Sequence, residues 1–111
     1  MQHDLGTFIV GTTWDGEQFQ IIEADEPMDL TDAEVTSQFR YLSKTGKVLK
    51  DLSVGNGILI IDAENGWFDL RKFDLDFKSG RIYYDIKIKT NENNIRVYVT
   101  GFIDLITGVS A

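Results

Sequence analysis

The carboxylates are the residues of this sequence with the greatest potential for chemistry. Five of them are concentrated in one region: Asp62, Glu64, Asp69, Asp74 and Asp76. Hard cations such as Ca²⁺ bind oxygen ligands of this kind. In the segment DAENG (62–66), however, glycine comes fifth, whereas an EF-hand loop needs it sixth, and Phe73 stands where the bidentate glutamate would be. We therefore predict a tight hairpin here and no metal site.

The sequence also lacks the groups that common catalytic sites require. A hydrolase with paired carboxylates needs its two acids in different environments, but Asp74 and Asp76 alternate with apolar residues in FDLDF (73–77), as in a half-buried strand. His3 is the sole histidine and lies in a terminus that we expect to fray, and the chain has no cysteine. We predict no catalytic residue and no cofactor; the protein is not expected to be an enzyme.

Aromatic side chains offer a second kind of chemistry, the stacking of a sugar ring. They also fill small β-cores, where each buries about 150 to 250 Å². Trp67 is expected in the core. Trp14 ends a strand beside Asp15-Gly16, and for this residue both a place in the core and a role in ligand binding stay open.

The elements that would position these residues are strands. Apolar and polar residues alternate with a period of two in runs near 7–14, 17–23, 33–42, 47–51, 58–61, 67–70, 81–89 and 95–106. Turn signals such as Asp15-Gly16 and Asn65-Gly66 separate the runs, and the latter pair predicts a hairpin with a primed turn. We predict one all-β domain over residues 1–111, an antiparallel β-sandwich of about seven or eight strands. Its predicted core residues include Val35, Phe39, Phe68, Tyr84, Ile86, Val97 and Val99.

The last two runs carry more aromatic residues than a solvated strand face requires. In IRVYVTGFIDL (95–105), Ile95, Val97 and Val99 share one face, whereas Tyr98 and Phe102 lie on the other. Tyr83 occupies the corresponding outer face of the preceding run. These aromatics either lie under a loop of the chain or anchor a protein interface, where aromatic residues and arginine are enriched.

The charge of the chain disfavours polyanions as partners. Eighteen acidic and eleven basic residues give a formal net charge of -7, so nucleic acid meets net repulsion. Lys44, Lys47 and Lys50 form a local basic cluster without interleaved aromatics, which we interpret as a solvated strand edge. The first ten residues lack the pattern of a signal peptide, and no run approaches the roughly 20 apolar residues of a membrane span.

The order of four landmarks resembles a known module. The landmarks are GTFIVGTTWDGEQFQI, EPMDLTDAEVTSQFR, GILIIDAENGWFDL and SGRIYYDIKIKTNENNIRVYVTGFIDL. In this order and spacing the chain is similar to the N-terminal module of tailed-phage upper baseplate proteins and related small phage tail proteins. The sequence departs from the pattern of that module at Thr12, at Asp32 and at the adjacent pair Tyr83 and Tyr84. Longer members continue into a helical linker and a fibre-binding region, so we expect this protein to act with the module alone, as far as Ala111.

The resemblance implies an immunoglobulin-like or jelly-roll-like sandwich that serves as a structural or adaptor component of a phage tail or baseplate. The implied partners are other tail or baseplate proteins and further copies of the chain, with no nucleic acid and no membrane. The implied location is the virion tail, after synthesis in the host cytoplasm. Candidate interface residues are Trp14, Tyr83, Tyr98 and Phe102. The alternative is a small carbohydrate- or receptor-binding module that uses Trp14 and neighbouring tyrosines.

Overall fold

The protein is built from β-strands, as predicted. The computed structural model describes residues 1–90 and 92–108, and this part of the chain contains ten strands and no α-helix. None of its elements is a helix that could cross a membrane. The strands are β1 (Gly6–Ile9), β2 (Thr13–Gln20), β3 (Ile22–Glu23), β4 (Glu26–Pro27), β5 (Glu34–Tyr41), β6 (Val48–Val54), β7 (Gly57–Asp62), β8 (Trp67–Asp74), β9 (Gly80–Lys89) and β10 (Ile95–Ile106), with a 3₁₀ turn (Ala63–Asn65) between β7 and β8.

Eight strands form one mostly antiparallel sheet in the order β1-β10-β9-β5-β6-β7-β8-β2. The parallel pairs are β1 with β10, and β6 with β7 over only two residue pairs. Trp14 of the edge strand β2 lies 6.0 Å from the ring of Phe39 in the central strand β5, and Phe39 lies 5.3 Å from Phe73 in β8. The sheet therefore curls back over itself around one aromatic core.

The period-two pattern explains which face each strand buries. In β9, Ile82, Tyr84, Ile86 and Ile88 are buried, and the residues between them are half-buried or exposed. Six of the seven predicted core residues are buried: Val35, Phe39, Phe68, Tyr84, Ile86 and Val99.

The prediction for Val97 is wrong because β10 contains a β-bulge. Val97 pairs with Lys87 and Val99 pairs with Ile86, which is adjacent to Lys87. Two steps along β10 therefore match one step along β9, and Tyr98 is an extra residue in the ladder. An extra residue reverses the face on which the preceding side chains lie. Val97 is accordingly 50% exposed and Ile95 63% exposed, on the outer face of the sheet.

The turn at Asn65-Gly66 lies where it was predicted, but it is longer than a two-residue primed turn. The chain passes through the 3₁₀ turn Ala63–Asn65 and reverses at Gly66, whose φ is 76°. The predicted run 7–14 is likewise divided, since β1 ends at Ile9 and β2 begins at Thr13. By contrast, the predicted strand 33–42 is confirmed as β5.

The prediction that the N-terminal residues fray is wrong as well. The backbone N–H of His3 donates to the carbonyl of Thr100 at 2.8 Å, and that of Leu5 donates to Phe102 at 2.8 Å. The Tyr84 hydroxyl donates to the His3 carbonyl at 2.5 Å. This segment therefore extends the parallel pairing of β1 along β10.

Candidate protein interface

Strand register brings two of the candidate aromatics together on the outer face. Tyr83 in β9 is directly opposite Phe102 in β10, and their ring centroids are 6.2 Å apart at an interplanar angle of 67°. Edge-to-face contacts of this kind are favourable for aromatic pairs. Arg81 in β9 and Asp104 in β10 are also directly opposite each other, and each lies two residues from the aromatic residue of its own strand. We call Arg81, Tyr83, Phe102 and Asp104 the outer platform.

The outer platform is held by polar contacts as well as by its rings. The guanidinium group of Arg81 donates from Nε and Nη2 to the two carboxylate oxygens of Asp104, at 2.8 and 3.0 Å. Its central carbon lies 3.7 Å from the centroid of the Phe102 ring. The hydrogen bonds from Arg81 hold the pKa of the Asp104 carboxyl below its usual value, and those to Asp104 raise the pKa of Arg81. The Arg81 side chain is 45% exposed and that of Asp104 is 32% exposed, so water screens the pair and it fixes geometry more than it stabilises the fold.

Tyr98 does not belong to the outer platform, in contrast to the expectation of one face with three aromatics. It is the extra residue of the bulge and packs partly against the core. Its hydroxyl donates to Oε2 of Glu23 at 3.2 Å, so the side chain lies beside the β3–β4 hairpin. Burial, followed by the hydrogen bond to Glu23, raises the pKa of the Tyr98 hydroxyl.

Trp14 is a core residue and not a surface platform. Only 3% of it is exposed, and its indole ring contacts the rings of Phe39 and Phe73. A sugar ring cannot stack on a side chain that other aromatics cover. This placement removes Trp14 from the candidate interface, whereas Trp67 is half-buried at the start of β8.

A groove adjoins the outer platform. It has a volume of about 220 Å³ and is lined by Gln38, Arg40, Lys44, Tyr83, Tyr84, Asp85, Val97 and Thr100. Arg40 donates to Gln38 Oε1 at 2.8 Å and to the carbonyl of Gly46 at 2.9 Å, which ties the β5–β6 loop to the sheet. Within the described residues, Oδ1 of Asp85 is buried and has no hydrogen-bond partner. A ligand that donates a hydrogen bond would satisfy this oxygen.

The acidic and histidine residues are not arranged as a metal centre in the part of the chain that is described. Residues 1–90 and 92–108 contain no group of three or more His, Cys, Asp or Glu side chains that could hold an ion. His3 pairs with Glu17 and lies edge-on to Phe19, 5.5 Å between ring centroids. Asp62 accepts a hydrogen bond from Asn65 at 2.9 Å within the β7–β8 turn, a structural contact of that turn.

Sequence reasoning missed the ion pair of the outer platform and the groove, although it recognised Lys44 as part of a basic cluster. Arg81 and Asp104 alternate with the outer aromatics, which could have suggested a shared face. Their pairing depends on the register of β9 against β10, which the bulge at Tyr98 shifts. Comparisons with protein-family models, with curated proteins and with solved structures found no match to the chain.

Proposed function

We propose that this protein is a structural adaptor of a bacteriophage tail or baseplate and that it binds other virion proteins through the outer platform. The observation that carries this proposal is the pairing of Tyr83 with Phe102 under an arginine that is already fixed by Asp104. Aromatic residues and arginine dominate the binding energy of protein interfaces. The phage setting comes from the sequence resemblance, which extends over nearly the whole chain.

Preorganisation of the outer platform favours binding. An exposed arginine usually loses side-chain entropy when a partner immobilises it, at about 0.5 to 1.5 kcal/mol per flexible side chain. Here the carboxylate of Asp104 restricts the guanidinium group before any partner arrives. A partner therefore meets a formed surface in which the aromatic rings are half-buried and their contacts are already made.

We also propose that the curled sheet is a β-sandwich, divided between β6 and β7. β6 and β7 pair only through Ser53 with Gly57 and Val54 with Ile58, so the remaining parts of these strands leave the ladder between them open. The sheet then divides into a group of five strands, β1-β10-β9-β5-β6, and a group of three, β7-β8-β2. Two groups facing one core fit an immunoglobulin-like or jelly-roll-like sandwich. The open edge of β6 is a further place where a strand of another subunit could pair.

The carbohydrate-binding alternative is weaker because its principal residue is buried. Trp14 was its proposed stacking platform, and this side chain is enclosed by Phe39 and Phe73. The remaining outer aromatics, Tyr83 and Phe102, contact each other edge to face.

Fractionation of virions tests the proposal. We expect an antibody against the protein to detect it in purified tails and the purified protein to co-sediment with tails that lack it. A glycan array with the same protein is the control, on which we expect no specific signal. Absence from tails would overturn the adaptor function, and specific glycan binding would then favour the carbohydrate-binding module.

A further inference from the structure

The β3–β4 hairpin is the one part of the strand structure, among the described residues, that lies outside the main sheet. Ile22 pairs with Pro27 and Glu23 pairs with Glu26, and residues 22–27 are all exposed. Ile22 alone is 52% exposed. The turn residues Ala24 and Asp25 both have positive φ, 53° and 65°, a conformation that disfavours residues other than glycine. An exposed hairpin with an unfavourable turn contributes little to the core.

The tip of this hairpin is acidic and opposes like charges. Glu23 and Glu26 are direct cross-strand partners, an arrangement that destabilises a strand pair. Asp25 lies between them in the turn. Among residues 1–90 and 92–108, the acids with a basic side chain within ion-pair distance are Glu17, beside His3, and Asp104, beside Arg81. The three acids of the tip have no such partner there.

Acidic residues outnumber basic ones at the end of the sheet that carries the hairpin. The hairpin and the segments beside it, residues 22–33, 62–66 and 90–94, hold eight acidic residues and no lysine or arginine. Arg96 of β10 lines the same hollow as Glu23. The hydrogen bond from Leu30 to the carbonyl of Ala63 joins two of these segments, and Glu34 pairs with Lys89 where the third begins.

The opposite end of the same strands is basic. β5 runs from Glu34 to Tyr41 and leads into the loop 42–47, which contains Lys44 and Lys47. These lysines were expected on a strand edge, but they lie in this exposed loop. Arg40 and Lys44 line the groove beside the outer platform and outnumber its one acidic residue, Asp85. An eight-residue strand separates the two ends by about 23 Å, at roughly 3.3 Å per residue.

We infer that the acidic β3–β4 hairpin of one copy docks into the basic groove of a second copy, so that the chain associates head to tail. The inference rests on the proposed function, and it names a second copy of the chain as one partner of the outer face. The glutamates of the hairpin approach Arg40 and Lys44, and its apolar base, Ile22 and Pro27, packs against Tyr83. This contact relieves the repulsion between Glu23 and Glu26.

The net charge of -7 does not prevent this contact, because charges far from it are screened by salt. Charges are screened over about 10 Å in 0.1 M salt, which is less than half of the separation between the two ends. Only the local charges at the contact therefore count, and these have opposite signs. Because the two contacting surfaces differ, the interface is heterologous, and repeated contacts of this type form a ring or a helical array.

Sedimentation velocity with the purified chain tests the inference. We expect concentration-dependent association in about 0.1 M salt that weakens in about 0.5 M salt. Glu26→Lys in the hairpin and Lys44→Glu in the groove should each weaken association about tenfold, and a one-to-one mixture of the two variants should restore it. Asp15→Lys and Lys72→Glu, at exposed positions of β2 and β8, are the matched controls and should associate like the wild type.

A wild-type chain that stays monomeric at high concentration in about 0.1 M salt would overturn the inference, and so would variants that associate normally. A one-to-one mixture of Glu26→Lys and Lys44→Glu that does not associate would also overturn the inference. In a head-to-tail contact, the reversed charge on one variant faces an opposite charge on the other, so the mixture should associate. A negative result here leaves the adaptor function standing if the protein is still found in tails. Absence from tails would instead remove the adaptor function itself.

Discussion

The guanidinium carbon of Arg81 lies 3.7 Å from the centroid of the Phe102 ring, while the same group donates two hydrogen bonds to Asp104. The cation is therefore held against the π-face of the ring, where the ring quadrupole attracts it. This relationship sets the shape of the outer platform, because Arg81 and Phe102 hold each other in place.

The hydroxyl of Tyr84 should anchor the N-terminal segment. Tyr84→Phe removes the hydrogen bond to the His3 carbonyl and leaves the ring in place, so we expect the free energy of unfolding to fall by about 1 kcal/mol. Urea unfolding measures this loss. Hydrogen exchange at the His3 and Leu5 amides should accelerate in the variant; unchanged exchange would show that the backbone bonds to β10 suffice alone.

The stability of the protein should fall at alkaline pH because of the same tyrosine. Burial, then the negative charges of Glu17 and Asp4, raise the pKa of the Tyr84 hydroxyl above its ordinary 10.0. The folded state thus keeps a proton that the unfolded chain loses, so the contribution is complete below pH 10.0 and is lost as the pH rises toward the raised pKa. Unfolding free energies of the wild type and of Tyr84→Phe, measured at about pH 8 and about pH 11, should converge. A parallel decline in both proteins would assign the alkaline loss to other groups.

The bulge in β10 should be visible in a matched pair of substitutions. Val97→Thr places a hydroxyl on the exposed outer face and should change stability by less than about 0.5 kcal/mol, whereas Val99→Thr buries it and should cost about 1 to 3 kcal/mol. Urea unfolding of the two variants decides between the registers. Similar large losses for both would place Val97 in the core and remove the bulge.

Two glycines with similar backbone angles should differ in their tolerance of a side chain. Gly11 and Gly16 have φ values of 83° and 87°. A Cβ atom at Gly11 would meet open space, whereas one at Gly16 would collide with the backbone carbonyl oxygen of Leu70 in the neighbouring strand β8. We expect Gly11→Ala to cost about 1 kcal/mol and Gly16→Ala about 3 kcal/mol. Equal losses in thermal or urea unfolding would mean that backbone strain alone determines the cost.

The alternation of side chains made β9 and β5 predictable, but it could not reveal the bulge. Ile82 to Ile88 follow one period without interruption, and each second residue is buried. In β10, Ile95, Val97 and Val99 continue the same period, and no glycine or proline marks Tyr98 as an extra residue. The position of Val97 depends on how β10 pairs with β9, which the sequence pattern of one strand does not contain.

The candidate site was predictable only in part for the same reason. Tyr83 and Phe102 were recognised as outer residues, but their contact, and the contact of Arg81 with Asp104, result from cross-strand register. Trp14 had alternatives in the sequence because it stands next to a turn, and only the curling of β2 over β5 places it against Phe39. The charged residues at each end of the sheet come from loops that are far apart in the sequence. The antiparallel pairing of β5 with β9 brings these loops together.

The central claim is that the outer platform binds the partner, and incorporation of Phe102→Ala into tails tests it most directly. The variant is combined with an equal amount of wild-type protein and assembled with tails that lack it, and the ratio of the two in purified tails is measured. Leu59→Ala is the control, since Leu59 is 45% exposed on β7, away from the outer platform. We expect Phe102→Ala to fold and to lose the competition by about 30-fold, as for an anchor worth about 2 kcal/mol, while Leu59→Ala competes equally. Equal incorporation of folded Phe102→Ala would contradict the account.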